Sequence, residues 1–148
     1  MSIRVVIAED EAIIRLDLKE TLEEEGYEVV ADTGRGDTAI ELVRQHQPDV
    51  AIFDVKMPGM DGLDAARVVS AEKICPVVML TAFSQRELVD RARDAGVMAY
   101  VLKPFTINDL VPAIEIAISR HLQMKSLATE VADLHDRLET RKLIDRAK

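Results

Sequence analysis

A chain of 148 residues that is 48% apolar is long enough to bury one core and too short for two ordinary domains. Its formal net charge of −8 excludes a broad attraction to nucleic acid or anionic lipid, and its single cysteine, Cys75, excludes an internal disulfide. No run approaches the roughly 18 apolar residues of a membrane span, and no basic segment leads into an apolar one, so the expectation is a cytoplasmic protein with no membrane partner.

The first β-branched run, Ile3 to Ala8, ends in Glu9 and Asp10. Ile13, Leu16, Leu18 and Leu22 then recur at helical intervals, and Gly26 stands where that helix should stop. A second run, Glu28 to Ala31, precedes a helical pattern carried by Ala39, Ile40 and Val43. The third run, Val50 to Phe53, ends in Asp54; the fourth, Val77 to Leu80, ends in Thr81. Ser84 and Glu87 form the capping box of a further helix, which Gly96 should end. A fifth run, Ala99 to Leu102, ends in Lys103, and Thr106 is placed to cap the last helix.

Strictly alternating short strands and helices imply a parallel sheet covered on both faces and joined by right-handed crossovers. The predicted fold is a flavodoxin-like, doubly wound α/β domain of five strands in the order 2-1-3-4-5. Beyond Phe105 no strand appears, and one helical pattern runs from Ile107 nearly to the end. At about 1.5 Å per residue it would span about 60 Å, far beyond the domain's radius of gyration of about 13 Å, so its second half is expected to project. Met124, Leu127, Val131, Leu134 and Leu138 alternate spacings of three and four, the seam of a short coiled coil that would pair two copies of the chain. The competing reading is a solvated charged helix, since residues 106–148 hold seven basic and seven acidic side chains. The division expected is a domain over residues 1–121 and a helical extension over 122–148.

The charge is uneven: residues 1–105 hold 12 Lys or Arg against 20 Asp or Glu, which favours a cation site there. In open α/β sheets ligands bind beyond the carboxyl ends of the strands, where strand order reverses. Four of the five runs aim polar groups at that edge. With strands one and three adjacent, Asp10, Asp54 and Glu9 share one pocket, and two carboxylates about 4 Å apart repel by roughly 4 kcal/mol at an effective dielectric near 20. A divalent cation balances them, and hard oxygen ligands suit Mg²⁺. Lys103 adds an ammonium suited to a phosphoryl group, so the set supports phosphoryl transfer onto Asp54, with Thr81 donating its hydroxyl to the bound phosphate. Taken singly, Asp10 as a helix cap, Asp54 as a turn residue and Lys103 as a loop residue are the commoner roles; the functional reading rests on their convergence.

These residues are where the chain resembles the receiver domains of response regulators, over about residues 3 to 121. The resemblance implies that Asp54, in the run from Phe53 through Met57-Pro58-Gly59 to Gly62, accepts phosphate from a sensor histidine kinase. It implies that Glu9 and Asp10 form the acidic pair for Mg²⁺ or Mn²⁺, with the backbone carbonyl of Lys56 as a further ligand. Thr81 and Tyr100 resemble the switch pair, Lys103 the phosphate-contacting lysine, and the bond from Lys103 to Pro104 a candidate for cis. The acidic pair is Glu-Asp where Asp-Asp is commoner. Lys56 and Phe83, two residues beyond Asp54 and Thr81, are of a size to hinder an attacking water, so slow loss of the phosphoryl group is expected.

The stretch from Leu138 to Lys148 resembles the opening of an ANTAR domain, a helical RNA-binding module of transcription antitermination. RNA binding is therefore expected only of a longer parent carrying the rest of that module. Three alternatives stand beside this reading. They are a single-domain receiver acting through protein contacts, a receiver-shaped scaffold that is never phosphorylated, and a flavodoxin-like cofactor binder, against which an aromatic content of 3% weighs. His46, His121 and His135 lack metal-ligand spacing, and neither a Gly-rich phosphate loop nor a nucleophile elbow is present.

Overall fold

The structure is a computed structural model that describes residues 2–81 and 96–124. The capping box at Ser84 and Glu87, Phe83, and the seam beyond Met124 lie outside these residues.

The elements follow in the order β1 (Arg4–Ala8), α1 (Ala12–Glu24), β2 (Glu28–Thr33), α2 (Gly36–His46), β3 (Val50–Asp54), α3 (Gly62–Ala71), β4 (Val77–Thr81) and β5 (Ala99–Leu102). All strand pairs are parallel, and the sheet order is β2-β1-β3-β4-β5, as the sequence pattern predicts. Residues 107–118 are again helical.

The chain divides into two compact units, Met1–Ile118 and Ser119–Lys148. Of the second unit, residues 119–124 are described; they are helical, with Leu122 and Met124 exposed.

The period-two alternation of the strands sorts the core of the first unit into two layers. Val6, Ala8, Ala51, Phe53, Val77 and Met79 form one layer with α2 and α3, through Ala39, Ile40, Val43, Leu63, Ala66 and Val69. Val5, Ile7, Val50, Ile52, Val78 and Leu80 form the other with Leu18 and Leu22 of α1 and with Leu110, Ala113, Ile114 and Ala117. Central strands buried on both faces read as unbroken apolar runs, which is why they were legible.

α1 departs from the predicted stripe. Leu18 and Leu22 are buried, but Ile13 and Leu16 are 85% and 57% exposed. At about 100° per residue, Ile13 and Leu16 lie roughly 140–160° around the helix from Leu18, on the opposite side. The helix ends at Gly26 with a φ of 99°, in the left-handed region that favours glycine. At the start of the last helix the Asp109 carboxylate accepts from both the backbone N–H and the hydroxyl of Thr106, each at 3.1 Å.

A candidate phosphoacceptor pocket at the carboxyl edge of the sheet

The strands stop in register, so their polar successors meet. β1 pairs with β3 up to Ala8 beside Phe53, β3 with β4 up to Asp54 beside Leu80, and β4 with β5 up to Thr81 beside Leu102. Each ladder thus ends within a residue of the group that the sequence offered.

Glu9, Asp10 and Asp54 each contribute a carboxylate oxygen to a cluster in which these atoms lie within 4.8 Å of one another. Glu9 is fully buried, Asp54 is 7% exposed, and Asp10 faces solvent. Lys103 bridges the two buried members, with Nζ 2.8 Å from Glu9 Oε2 and 3.4 Å from Asp54 Oδ2. The ammonium is therefore nearer the glutamate than the central aspartate. The extra methylene of Glu9, compared with aspartate, lengthens its reach toward that ammonium.

Backbone hydrogen bonds fasten the pocket. Glu9 N–H donates to the Thr33 carbonyl at 2.9 Å, and its Oε1 accepts from Glu11 N–H at 3.2 Å. Asp54 Oδ1 accepts from Val55 N–H at 2.9 Å. The backbone N–H of Lys103 donates to the Thr81 carbonyl at 2.8 Å, and the bond from Lys103 to Pro104 is cis. Gly62 opens α3 against Asp54, where a Cβ would overlap the Asp54 carbonyl, so the helix can approach only without a side chain. Asp61 caps that helix by accepting from Asp64 N–H at 2.9 Å.

The electrostatics of the protein atoms are unbalanced. Burial pushes the Asp54 carboxyl up and the charge of Glu9 pushes it further; Lys103 opposes both, and the result is about 7 against an ordinary 3.8. Burial also works to lower the Lys103 ammonium, but its contacts with Glu9 and Asp54 win and hold it above its usual value. Glu9 Oε2 is buried, and the Lys103 ammonium at 2.8 Å is the contact that offsets its charge. Three carboxylates whose oxygens lie within 4.8 Å of one another, with one ammonium among them, fit a hard divalent cation.

The structure therefore brings together Glu9, Asp10, Asp54 and Lys103, and ends β4 at Thr81, which is 5% exposed. Tyr100 lies on β5 opposite Met79, 48% exposed. Lys56 sits in the loop after β3 with an exposed side chain. Sequence reasoning missed Arg15, whose Nη1 donates to the Glu9 carbonyl at 2.7 Å. The available signal was a lone basic residue one helical turn beyond the acidic stretch.

Residues 5–115 match the response regulator receiver domain. The chain belongs to that family, whose members are switches in phosphorylation-based two-component signalling. Within the family it is similar to the transcriptional regulatory protein PdtaR of Mycobacterium tuberculosis, 61% identical over 145 residues that cover 98% of this chain and 71% of that protein. It is 33% identical to the chemotaxis protein CheY of Bacillus subtilis, over 77% of this chain and 96% of the other. Among solved structures it resembles the signal receiver domain of the response regulator NarL from M. tuberculosis, with a TM-score of 0.76 and 30% identity over 80% of this chain and 97% of that one. Among the described residues no helix is long and apolar enough to cross a membrane.

Proposed function

We propose that Asp54 is the phosphoacceptor, and that its carboxylate attacks the phosphorus of a phosphohistidine on a sensor kinase. The N–P bond breaks as the O–P bond forms, and the imidazole leaves with the electron pair. Glu9, Asp10, Asp54 and the Lys56 carbonyl would hold Mg²⁺, or Mn²⁺, which supplies charge neutralisation for the phosphoryl oxygens. Lys103, already poised between Glu9 and Asp54, would transfer its contact to the phosphate. Asp54 and its neighbours assist their own modification, and nothing else is turned over.

The observation that carries this reading is the ammonium of Lys103 bridging two buried carboxylates in a pocket whose oxygens still repel. Such a pocket is completed by a cation and then by a phosphoryl group. Thr81 is the hydroxyl that would move toward the phosphate, and Tyr100, half-exposed on β5, the ring that would turn inward. That contact has different free energy in the two states, which a switch requires.

Residues 1–121 would be the receiver, and 122–148 the helix that pairs two copies and opens an ANTAR output module. RNA is then a partner of the longer chain alone. The similarity to a transcriptional regulatory protein of M. tuberculosis supports an output of that kind.

Incubation of the whole chain with acetyl phosphate and Mg²⁺ should add one phosphoryl group by intact mass, and Asp54→Asn or a chelator should each abolish the gain. A gain that survives Asp54→Asn overturns the assignment. RNA binding by a chain carrying the complete module, and not by residues 1–148, tests the output; protein contacts alone would leave both silent.

A further inference from the structure

Arg15 joins three elements behind the acidic pair. From the first turns of α1 its Nη1 donates to the Glu9 carbonyl at 2.7 Å, while its Nε lies 3.4 Å from Asp32 Oδ1 near the end of β2. Asp32 is itself 3.9 Å from Lys19 Nζ. The Arg15 side chain is 25% exposed, so the guanidinium is held largely within the protein.

Gly34 bounds the other side of this guanidinium. A Cβ there would lie 2.7 Å from Arg15 Nη1, 3.4 Å from Asp10 Cα and 3.6 Å from the Glu9 carbonyl oxygen. Gly34 is not one of the glycines with positive φ, so no left-handed backbone calls for glycine there. A side chain at position 34 would require the Arg15 guanidinium to shift.

We propose that Arg15, seated by Asp32 and given room by Gly34, is a positioning residue that fixes the peptide between Glu9 and Asp10 so that both carboxylates face the cation. This rests on the reading of Glu9 and Asp10 as the divalent-ion carboxylates. The guanidinium touches neither the cation nor the reacting atoms. Its role is to hold the carbonyl behind the ligands, as outer partners hold first ligands in other metal sites.

The sign of the effect separates this from plain electrostatics. Arg15 is a positive charge beside a cation site, so by Coulomb's law its removal should tighten divalent binding. Positioning demands the opposite. In calorimetric Mg²⁺ titrations and Mn²⁺ titrations followed by electron paramagnetic resonance on the whole chain, Arg15→Ala should bind at least about tenfold more weakly than wild type.

Arg15→Gln keeps a donor and discards the charge, so its affinity should stay close to wild type or rise above it. Gly34→Ala leaves every charge in place but displaces the guanidinium, and should weaken binding as Arg15→Ala does. The double variant should be no weaker than Arg15→Ala alone, because the new methyl then meets no guanidinium. Thermal unfolding in chelator confirms that each variant is folded; should Arg15→Ala fail that check, Gly34→Ala against Arg15→Gln makes the same comparison. Binding by Arg15→Ala as tight as wild type, or tighter, overturns the inference and leaves the metal reading intact. Absence of divalent binding by wild type overturns both.

Discussion

Phe53 and Asp54 are neighbours in β3, both nearly inaccessible, and they live in opposite energetic regimes. Phe53 belongs to an apolar layer where burial itself stabilises. Asp54 begins a region where burial and the charge of Glu9 raise a carboxyl to about 7, and where one ammonium, that of Lys103, serves two buried carboxylates. Among the described residues the buried polar side chains are Glu9, Asp54 and Thr81, and all three stand at the same edge of the sheet. The lesson is that the layers supply the stability that the edge consumes. Lys103 relieves part of the edge's conflict, and the proposed cation and phosphoryl group would relieve the rest.

The comparison is broken most forcefully from the apolar side. Phe53→Ala should cost about 3–5 kcal/mol in urea unfolding, since it removes a large, fully buried ring from the layer. A loss below about 1 kcal/mol would mean that the layer is not the stabilising region described here.

On the polar side, divalent ion should stabilise by mass action. At a hundredfold excess over its dissociation constant Mg²⁺ should contribute about 2.7 kcal/mol, read as a rise in melting temperature that Asp10→Asn and Asp54→Asn diminish. If the melting temperature of wild type ignored Mg²⁺, the edge would not be a cation site.

The third effect is smaller and its sign is informative. Because the folded carboxyl of Asp54 is raised from 3.8 to about 7, folding favours its protonated form. Its contribution is intact below about pH 4 and is lost as the pH climbs through 7. In chelator at pH 8, Asp54→Asn should therefore be more stable than wild type by an amount on the order of 1–2 kcal/mol, and the two urea midpoints should converge near pH 4. A gap that widened on acidification would refute the cause assigned to the shift.

The smallest effect sharpens the contrast with ordinary surface charge. Arg44 of α2 reaches Glu72 beyond α3, with Nε 2.9 Å from Oε1, and the pair is exposed. Glu72→Gln should leave the urea midpoint essentially unchanged, because water already solvates both partners. A large shift there would put exposed ion pairs on a par with the buried pocket.

Much of the pocket was legible because its members are the first polar residues after apolar runs. Asp54 after Val50 to Phe53, Thr81 after Val77 to Leu80 and Lys103 after Ala99 to Leu102 were all found that way. β2 was shorter in prospect than in fact. Its run ended at Ala31, yet Asp32 and Thr33 continue the ladder beside Ile7 and Ala8. Backbone pairing is indifferent to side-chain polarity, so an apolar run marks only the part of a strand that faces a core.

That short reading of β2 hid Asp32, and with it the partner that seats Arg15. In α1 the intervals joining Ile13 and Leu16 to Leu18 looked helical, but only the packed sheet decides which side of a helix is covered.

The sequence by itself determined the alternation of elements, the parallel sheet and the chemical types gathered at its edge, because periodicity and strand-end polarity are local properties of the chain. Only the tertiary structure decided that Lys103 lies closer to Glu9 than to Asp54, that Asp54 sits near 7, and that Arg15 grips the Glu9 carbonyl. Those facts depend on distances and burial between segments far apart in the chain, which no local pattern encodes.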